Sequence, residues 1–251
     1  MDLHGSTALV TGAGRRLGKA IALSLAEAGA DLIVHVHSSA TAELVRRIEQ
    51  MGRRVEVVAV DLSERGGARR LAEEVCRQVR SIEVLVNSAA VFYPTPLRTL
   101  SVSEWRKVLL VNLQAPLVLA LTLGKVMRAQ GKGKIIQLGD WSGQRPVRNF
   151  LPYCVAKGGL HMSTQVLAKA LAPQVQVNEI VLGPVLPPED YDAQALQRAT
   201  EATPLQRLGQ PAEVIRTVRF LIERGDFVTG ASYTIDGGWL AQAPGGMTTS
   251  L

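Results

Sequence analysis

The sequence predicts an α/β protein: a Rossmann-type, doubly wound parallel sheet of about seven strands with helices on both faces. Three observations carry this. Short runs rich in β-branched residues alternate along the chain with longer segments of helical periodicity. The runs are continuously apolar, as strands covered on both faces are. A glycine-containing turn follows the first run and opens the first helical segment.

The elements follow in order. Thr7–Val10 is the first strand candidate and Lys19–Ala28 the amphipathic segment behind it. Leu32–Val36 precedes Ala42–Met51, Val55–Val60 precedes Arg65–Val79, and Val84–Asn87 precedes Val102–Leu123. Lys134–Leu138 is followed by Tyr153–Leu171. Val175–Leu182, Ala212–Glu223 and a last strand at Ser232–Ile235 complete the chain. Such alternation implies right-handed crossovers. No internal repeat or interdomain linker is visible, so residues 1–251 are expected to form one dinucleotide-binding domain. Gly183–Tyr191 reads as a mobile loop within a substrate loop at about 183–205, and Ala243–Leu251 as a frayed tail.

Composition narrows the function classes. With 251 residues, 47% of them hydrophobic, the chain can bury a full core. No unbroken apolar run of about 18 residues is present, so no membrane span is expected. The N-terminus, Met1–Val10, lacks the basic region and long apolar stretch of a signal peptide. Two cysteines, Cys76 and Cys154, are too few for a disulfide framework, nothing suggests a metal site, and a reducing cytoplasm is expected. The net charge is +6, but Arg46, Arg47, Arg53, Arg54, Arg69, Arg70, Arg77 and Arg80 fall on outer helix faces, and only 4% of residues are aromatic. That pattern reads as solvated surface rather than a nucleic-acid platform. A positive field also suits an anionic small ligand.

Thr11-Gly-Ala-Gly-Arg-Arg-Leu-Gly18 is the phosphate-loop candidate. Gly12 permits a tight turn, Gly14 and Gly18 allow close approach, and the helix N-terminus offers N–H groups and positive potential to a pyrophosphate. The end of the second strand discriminates cofactors. An acid there binds the ribose 2′-hydroxyl of NAD. Here Val34-His-Val-His-Ser-Ser39 carries none before Glu43, and Asp31 lies at the strand's other end. Arg15, with Ser38, Ser39 and His37, suits a 2′-phosphate, so NADP(H) is the expected cofactor. His35 reads as an ordinary strand residue.

Tyr153 and Lys157 stand at i and i+4 on one helical face, with Asp140 thirteen residues before the tyrosine. A free phenol titrates near ~10, and a neighbouring ammonium lowers that value. The pair is a candidate for proton transfer. Asp140 is either a partner in it or a cap on the turn after the fifth strand.

Together these residues resemble the short-chain dehydrogenase/reductases. The resemblance spans nearly the whole chain and adds Asp61-Leu62, Asn87-Ser-Ala-Ala90, Asn112, Gly183-Pro184 and Ile235-Asp-Gly-Gly238. Arg16 stands for the middle glycine of the family's loop, Asp140 for its catalytic serine, and Asn87–Leu97 for its Asn-Asn-Ala-Gly start. With His35–Ser39, these departures resemble the pteridine reductases and dihydromonapterin reductases. Ser38 replaces the basic residue expected there, and Val185 a common glycine.

The resemblance implies a catalytic set of Asp140, Tyr153, Lys157 and Asn112. Tyr153 gives the proton, Lys157 also holds the nicotinamide ribose, and Asn112 bends a helix and holds a water. It implies cofactor contacts from Gly12, Gly14, Arg15, Arg16, Leu17 and Gly18; from His37, Ser38 and Ser39; from Asp61 and Leu62; from Asn87, Ser88 and Ala89; and from Lys157, Gly183, Pro184 and Val185. Substrate contacts are expected from Arg16, Phe92, Asp140, Tyr153, Trp141 and Tyr191. Phe92 either stacks on a flat heterocycle or packs against a neighbouring subunit. A carboxylate accepts hydrogen bonds only, which suits a substrate presenting nitrogen, as a pterin does. The expected activity is NADPH-dependent reduction of a pterin or dihydropteridine by a homotetramer. The alternatives are another carbonyl substrate, such as a small ketone or 3-ketoacyl thioester, and a non-catalytic dinucleotide sensor.

Overall fold

A computed structural model describes residues 1–38, 41–186 and 192–242. Seven strands form one sheet: β1 Thr7–Thr11, β2 Asp31–Val36, β3 Val55–Ala59, β4 Val84–Asn87, β5 Gly133–Asp140, β6 Val175–Leu182 and β7 Ser232–Ile235. Their order is β3-β2-β1-β4-β5-β6-β7, and each neighbouring pair is parallel. The helices are α1 Arg16–Glu27, α2 Ala42–Gln50, α3 Gly67–Gln78, α4 Val102–Leu109, α5 Ala115–Ala129, α6 Leu151–Leu171, α7 Ala193–Glu201 and α8 Pro211–Glu223. The sheet order reverses between β1 and β4, which opens a crevice at the C-terminal ends of those strands.

Two cores follow from the continuously apolar strands. Ala8 and Val10 of β1 face Ile21 and Leu25 of α1 and Val214 and Val218 of α8. Leu9 faces the other way, into a layer with Leu71 of α3, Leu119 and Leu123 of α5, and Leu167 and Leu171 of α6. Each large aliphatic side chain so buried contributes about 1.5–3 kcal/mol. These two layers make the sheet rigid where its upper edge must hold ligands.

The structure departs from the sequence expectations in three places. The segment expected to end at Leu123 runs on as helical backbone from Val102 to Ala129, through α4, a π-helical turn and α5. By length and composition it is apolar enough to cross a bilayer, contrary to the expectation that no such segment exists, because interspersed polar residues hide it from a search for unbroken runs. Its buried side is the packing surface of the second core. A π-helical turn, Leu110–Gln114, interrupts it at Asn112. The Asn112 amide donates to Val108 O at 3.0 Å, within the helix's own carbonyl ladder, and to Val91 O at 2.9 Å. The proposed substrate loop contains α7, which the Pro- and Gly-containing stretch before it masked. Of that stretch, residues 187–191 lie outside the described residues. Gly183–Val185 is pinned: the Gly183 N–H donates to Ile235 O, Gly209 N–H to Pro184 O, and Val185 pairs with Gly209.

Candidate active site

β5 delivers Asp140 to the top of the sheet in extended conformation. Its Oδ1 accepts the Ser142 N–H at 2.9 Å and so caps the short 3₁₀ turn Trp141–Gly143. The capping role expected of Asp140 is therefore present. The same carboxylate stands close enough to the Tyr153 hydroxyl to act on its ionisation. Pro152 in its first turn starts α6 with a preset φ, and the helix then buries Tyr153 and Lys157 one turn apart. Lys157 Nζ donates to Leu138 O at 2.7 Å and sits 5.6 Å from the Tyr153 ring centroid.

These contacts set the protonation states. Burial pushes the Tyr153 phenol well above its ordinary value, and the Asp140 charge pushes it the same way. The net shift is therefore upward, opposite to the lowering expected from Lys157. The hydroxyl lies near a carboxylate, and the ammonium is spent on a backbone carbonyl. Burial also raises Asp140, against the Ser142 hydrogen bond and the Lys157 charge. Burial lowers Lys157, with Asp140 and then Glu179 opposing. Tyr153 is thus held as an acid, in a coupled pair with Asp140.

Aromatic side chains surround the pair. Phe92 is half exposed; its ring stacks on Phe150 at 4.5 Å and meets Tyr153 edge-on at 4.9 Å. One face of Phe92 is therefore already taken within the chain. Trp141 packs edge-on against Trp239 at 5.5 Å. Arg145 fastens that tryptophan by donating to Trp239 O at 3.2 Å, Leu240 O at 3.0 Å and Gln242 O. Sequence reading missed Phe150, Trp239 and Arg145. Phe150 precedes Tyr153 by three residues, a helical spacing that could have flagged it. Nothing local marks the other two. Tyr191 lies outside the described residues.

The expected cofactor contacts gather along the crevice. Gly12 has φ 66°, and a Cβ there would stand 2.9 Å from Ala89 Cα, so the glycine lets the β1 and β4 turns close on each other. Thr11 Oγ1 accepts the Ser88 and Ala89 N–H groups, both at 3.0 Å. A Cβ at Gly18 would overlap Gly12 O, so that helix–turn contact also needs a glycine. No side chain caps the N-terminus of α1, which leaves Gly14, Arg15 and Leu17 beside uncapped N–H groups. Arg16 takes φ 49°, and its Nη2 donates to Leu186 O at 2.5 Å, clasping the loop after β6.

His37 and Ser38 are exposed at the end of β2, and His37 Nε2 stands 3.4 Å from Asp61 Oδ2. Ser39 lies outside the described residues. Glu43, the first acid after β2, is held by Lys19 at 2.7 Å. Hydrogen bonds from Ser63 hold the Asp61 carboxyl below its usual range, and Leu62 is buried beside it. His35 is more than strand filler: Nδ1 accepts the Gly12 N–H at 3.2 Å, which places the proton on Nε2, 2.9 Å from Val60 O. Asn87 Nδ2 donates to Pro116 O and Gln137 Oε1 and so pins the end of β4. Asn112 Oδ1 accepts the Val91 N–H at 3.1 Å and fixes the Asn87 loop from the other side.

Comparison with known proteins agrees with this layout. Residues 12–240 match a family model described as Enoyl-(Acyl carrier protein) reductase. The chain is 32% identical to 2-dehydro-3-deoxy-D-gluconate 5-dehydrogenase of Bacillus subtilis, over 96% of this chain and 97% of that protein. It is 31% identical to a 3-oxoacyl-[acyl-carrier-protein] reductase of Synechocystis, over 94% and 97%. A solved gluconate 5-dehydrogenase from Burkholderia cenocepacia, in complex with NADP and tartrate, superposes with a TM-score of 0.88 at 29% identity, covering 96% of this chain and 97% of that one. These relatives point to carbonyl and alcohol chemistry and lend no support to the pteridine reductase subgroup. With the family model matching residues 12–240 and relatives above 30% identity covered almost end to end, the chain belongs to the short-chain dehydrogenase/reductase family.

Proposed function

We propose that this protein is an NADP(H)-dependent oxidoreductase that reduces a carbonyl compound, with Tyr153 as proton donor. One observation carries the reading: Tyr153 is buried and held as a phenol by Asp140, with Lys157 one helical turn away. A group that keeps its proton suits the reductive direction.

The residues fit NADP(H). The uncapped N-terminus of α1 and the Gly12 turn would hold its pyrophosphate. Arg15 and Ser38 would receive a 2′-phosphate, with the nearby acids Glu43 and Asp61 each engaged by another side chain. When bound, the dinucleotide supplies a hydride. Tyr153 delivers its proton to the substrate oxygen as negative charge develops there. Lys157 steadies the phenolate left behind. Asp140, which repels that phenolate, keeps the proton on Tyr153 beforehand. Trp141, Trp239 and Phe92 wall the space above and limit water.

The relatives favour a keto acid, a small ketone or a 3-ketoacyl thioester as substrate. A second reading, a pterin or dihydropteridine, draws on Asp140, whose carboxylate accepts from N–H groups where a serine would donate to a carbonyl, and on Phe92. Monitoring NADPH oxidation against both panels separates them. Ketone turnover is expected; dihydropteridine turnover with no ketone turnover would overturn the first reading in favour of the second. The proposal includes assembly into a homotetramer. Val155, Met162 and Val166 give α6 an exposed apolar stripe suited to a second copy, and sedimentation equilibrium reads the assembly directly.

A further inference from the structure

Glu179 lies in the middle of β6 and is 1% exposed, with Val177, Ile180 and Val181 for neighbours. A carboxylate in such a place costs several kcal/mol unless it is partnered. Its Oε2 lies 2.6 Å from His161 Nδ1 of α6 and accepts the Ser232 hydroxyl of β7 at 2.8 Å. A carboxylate accepts only, so the proton between it and the imidazole sits on Nδ1. Its Oε1 packs on Gly139, where any Cβ would overlap it. Gly139 stands between Leu138, whose carbonyl receives Lys157 Nζ, and Asp140. His161 follows Lys157 by four residues on the same face of α6. The acid, its clamps and the lysine therefore share one interface of α6 with the sheet, and no step described above uses the acid or its clamps.

We propose that Glu179 is a positioning residue for Lys157: a carboxylate fixed by His161 and Ser232 against Gly139, the residue next to the Leu138 carbonyl that holds the lysine, within the same helix–sheet interface. The inference rests on the reading of Tyr153 and Lys157 as the proton-transfer pair. The groups that bear on Glu179 are His161 and Lys157 from α6, Asp140 and the uncharged Gln137 from β5, and Ser232 from β7. Burial alone drives Lys157 toward the neutral amine, and the Glu179 charge opposes it alongside Asp140. His161 is partly exposed while Glu179 is sealed, so the imidazole closes the cluster from solvent.

The test is a direct titration of Lys157 by NMR with 13Cε-labelled lysine, its signal assigned with Lys157→Arg, in the wild type and in Glu179→Gln. The midpoint is expected to fall by roughly one pH unit or more, and the basic limb of kcat/KM to move with it. A folded Glu179→Gln protein with an unmoved midpoint would overturn the proposal and leave the cluster as a tie between α6 and the sheet. Should that variant fail to fold, Glu179→Met, which keeps the side chain's length and removes its charge, is expected to lower the same midpoint. An unmoved midpoint there overturns the proposal equally. The NMR reading needs no turnover, so it stands apart from the Tyr153 assignment, which fails only if Tyr153→Phe keeps its rate.

Discussion

The two ends of the sheet are held by different chemistry. Around β1, β2 and β3 the crevice is fastened by neutral hydrogen bonds and backbone shape: Gly12 and Ala13 both donate to His35, and His35 reaches Val60. Around β5, β6 and α6 the interior carries charge: Asp140, Lys157 and Glu179 lie within one helix–sheet interface. Neutral contacts give a dinucleotide a fixed bed whose shape is kept as long as His35 stays neutral. Buried charges give the reacting end groups whose protonation answers to their neighbours, at the cost of desolvation. On the proposed function, most of the dinucleotide's bed and the proton-transfer groups fall on the two sides of the crevice between β1 and β4.

The sharpest way to break this division is Tyr153→Phe. It keeps the ring against Phe92 and removes only the hydroxyl. The expected loss is about 10²–10⁴-fold in kcat, with dinucleotide affinity unchanged by fluorescence titration. A matching loss of affinity would show that the two ends are not independent. A smaller effect is expected from Arg15→Ala at the binding end. Calorimetry should show the preference for NADPH over NADH shrinking about tenfold, the scale of one charge-assisted phosphate contact. Equal weakening of both dinucleotides would reassign Arg15 to the pyrophosphate.

The smallest effect concerns His35. Burial lowers its pKa from the ordinary 6.5, so the folded protein keeps it neutral. The unfolded chain takes up that proton first as pH falls. The stabilisation is therefore complete above about pH 6.5 and is lost as pH drops from there through the lower folded value. Urea midpoints at pH 7.5 and 5 should show the wild type losing about 1 kcal/mol more than His35→Gln, which does not titrate. A parallel loss in both would place the pH sensitivity among the buried charges instead.

Much of this was legible in the residues. All seven strands lie within a few residues of their expected bounds, and for the central ones the reason is that burial on both faces demands continuous apolar runs. The spacing of Tyr153 and Lys157 placed both groups correctly. Their protonation was not legible, since it depends on how deep α6 packs and on which acceptor each group finds. Helix α7 hid behind a Pro- and Gly-containing stretch. Trp239, Arg145 and Glu179 gain meaning only when the sheet closes, because their partners lie elsewhere in the chain. Val185 shows the same dependence: its bulk is accommodated by Gly209, two dozen residues downstream.

The Arg145 clamp has a consequence for the birth of the protein. A nascent chain that has emerged as far as α6 already carries Asp140, Tyr153 and Lys157, yet the wall at Trp239 and the Ser232 hydroxyl that holds Glu179 are still to be made. Gln242 in turn ties the same late segment to Ala202, at the end of α7. Synthesis therefore delivers the reactive groups first and their enclosure last, and the pocket is finished only once the chain has been made through Gln242.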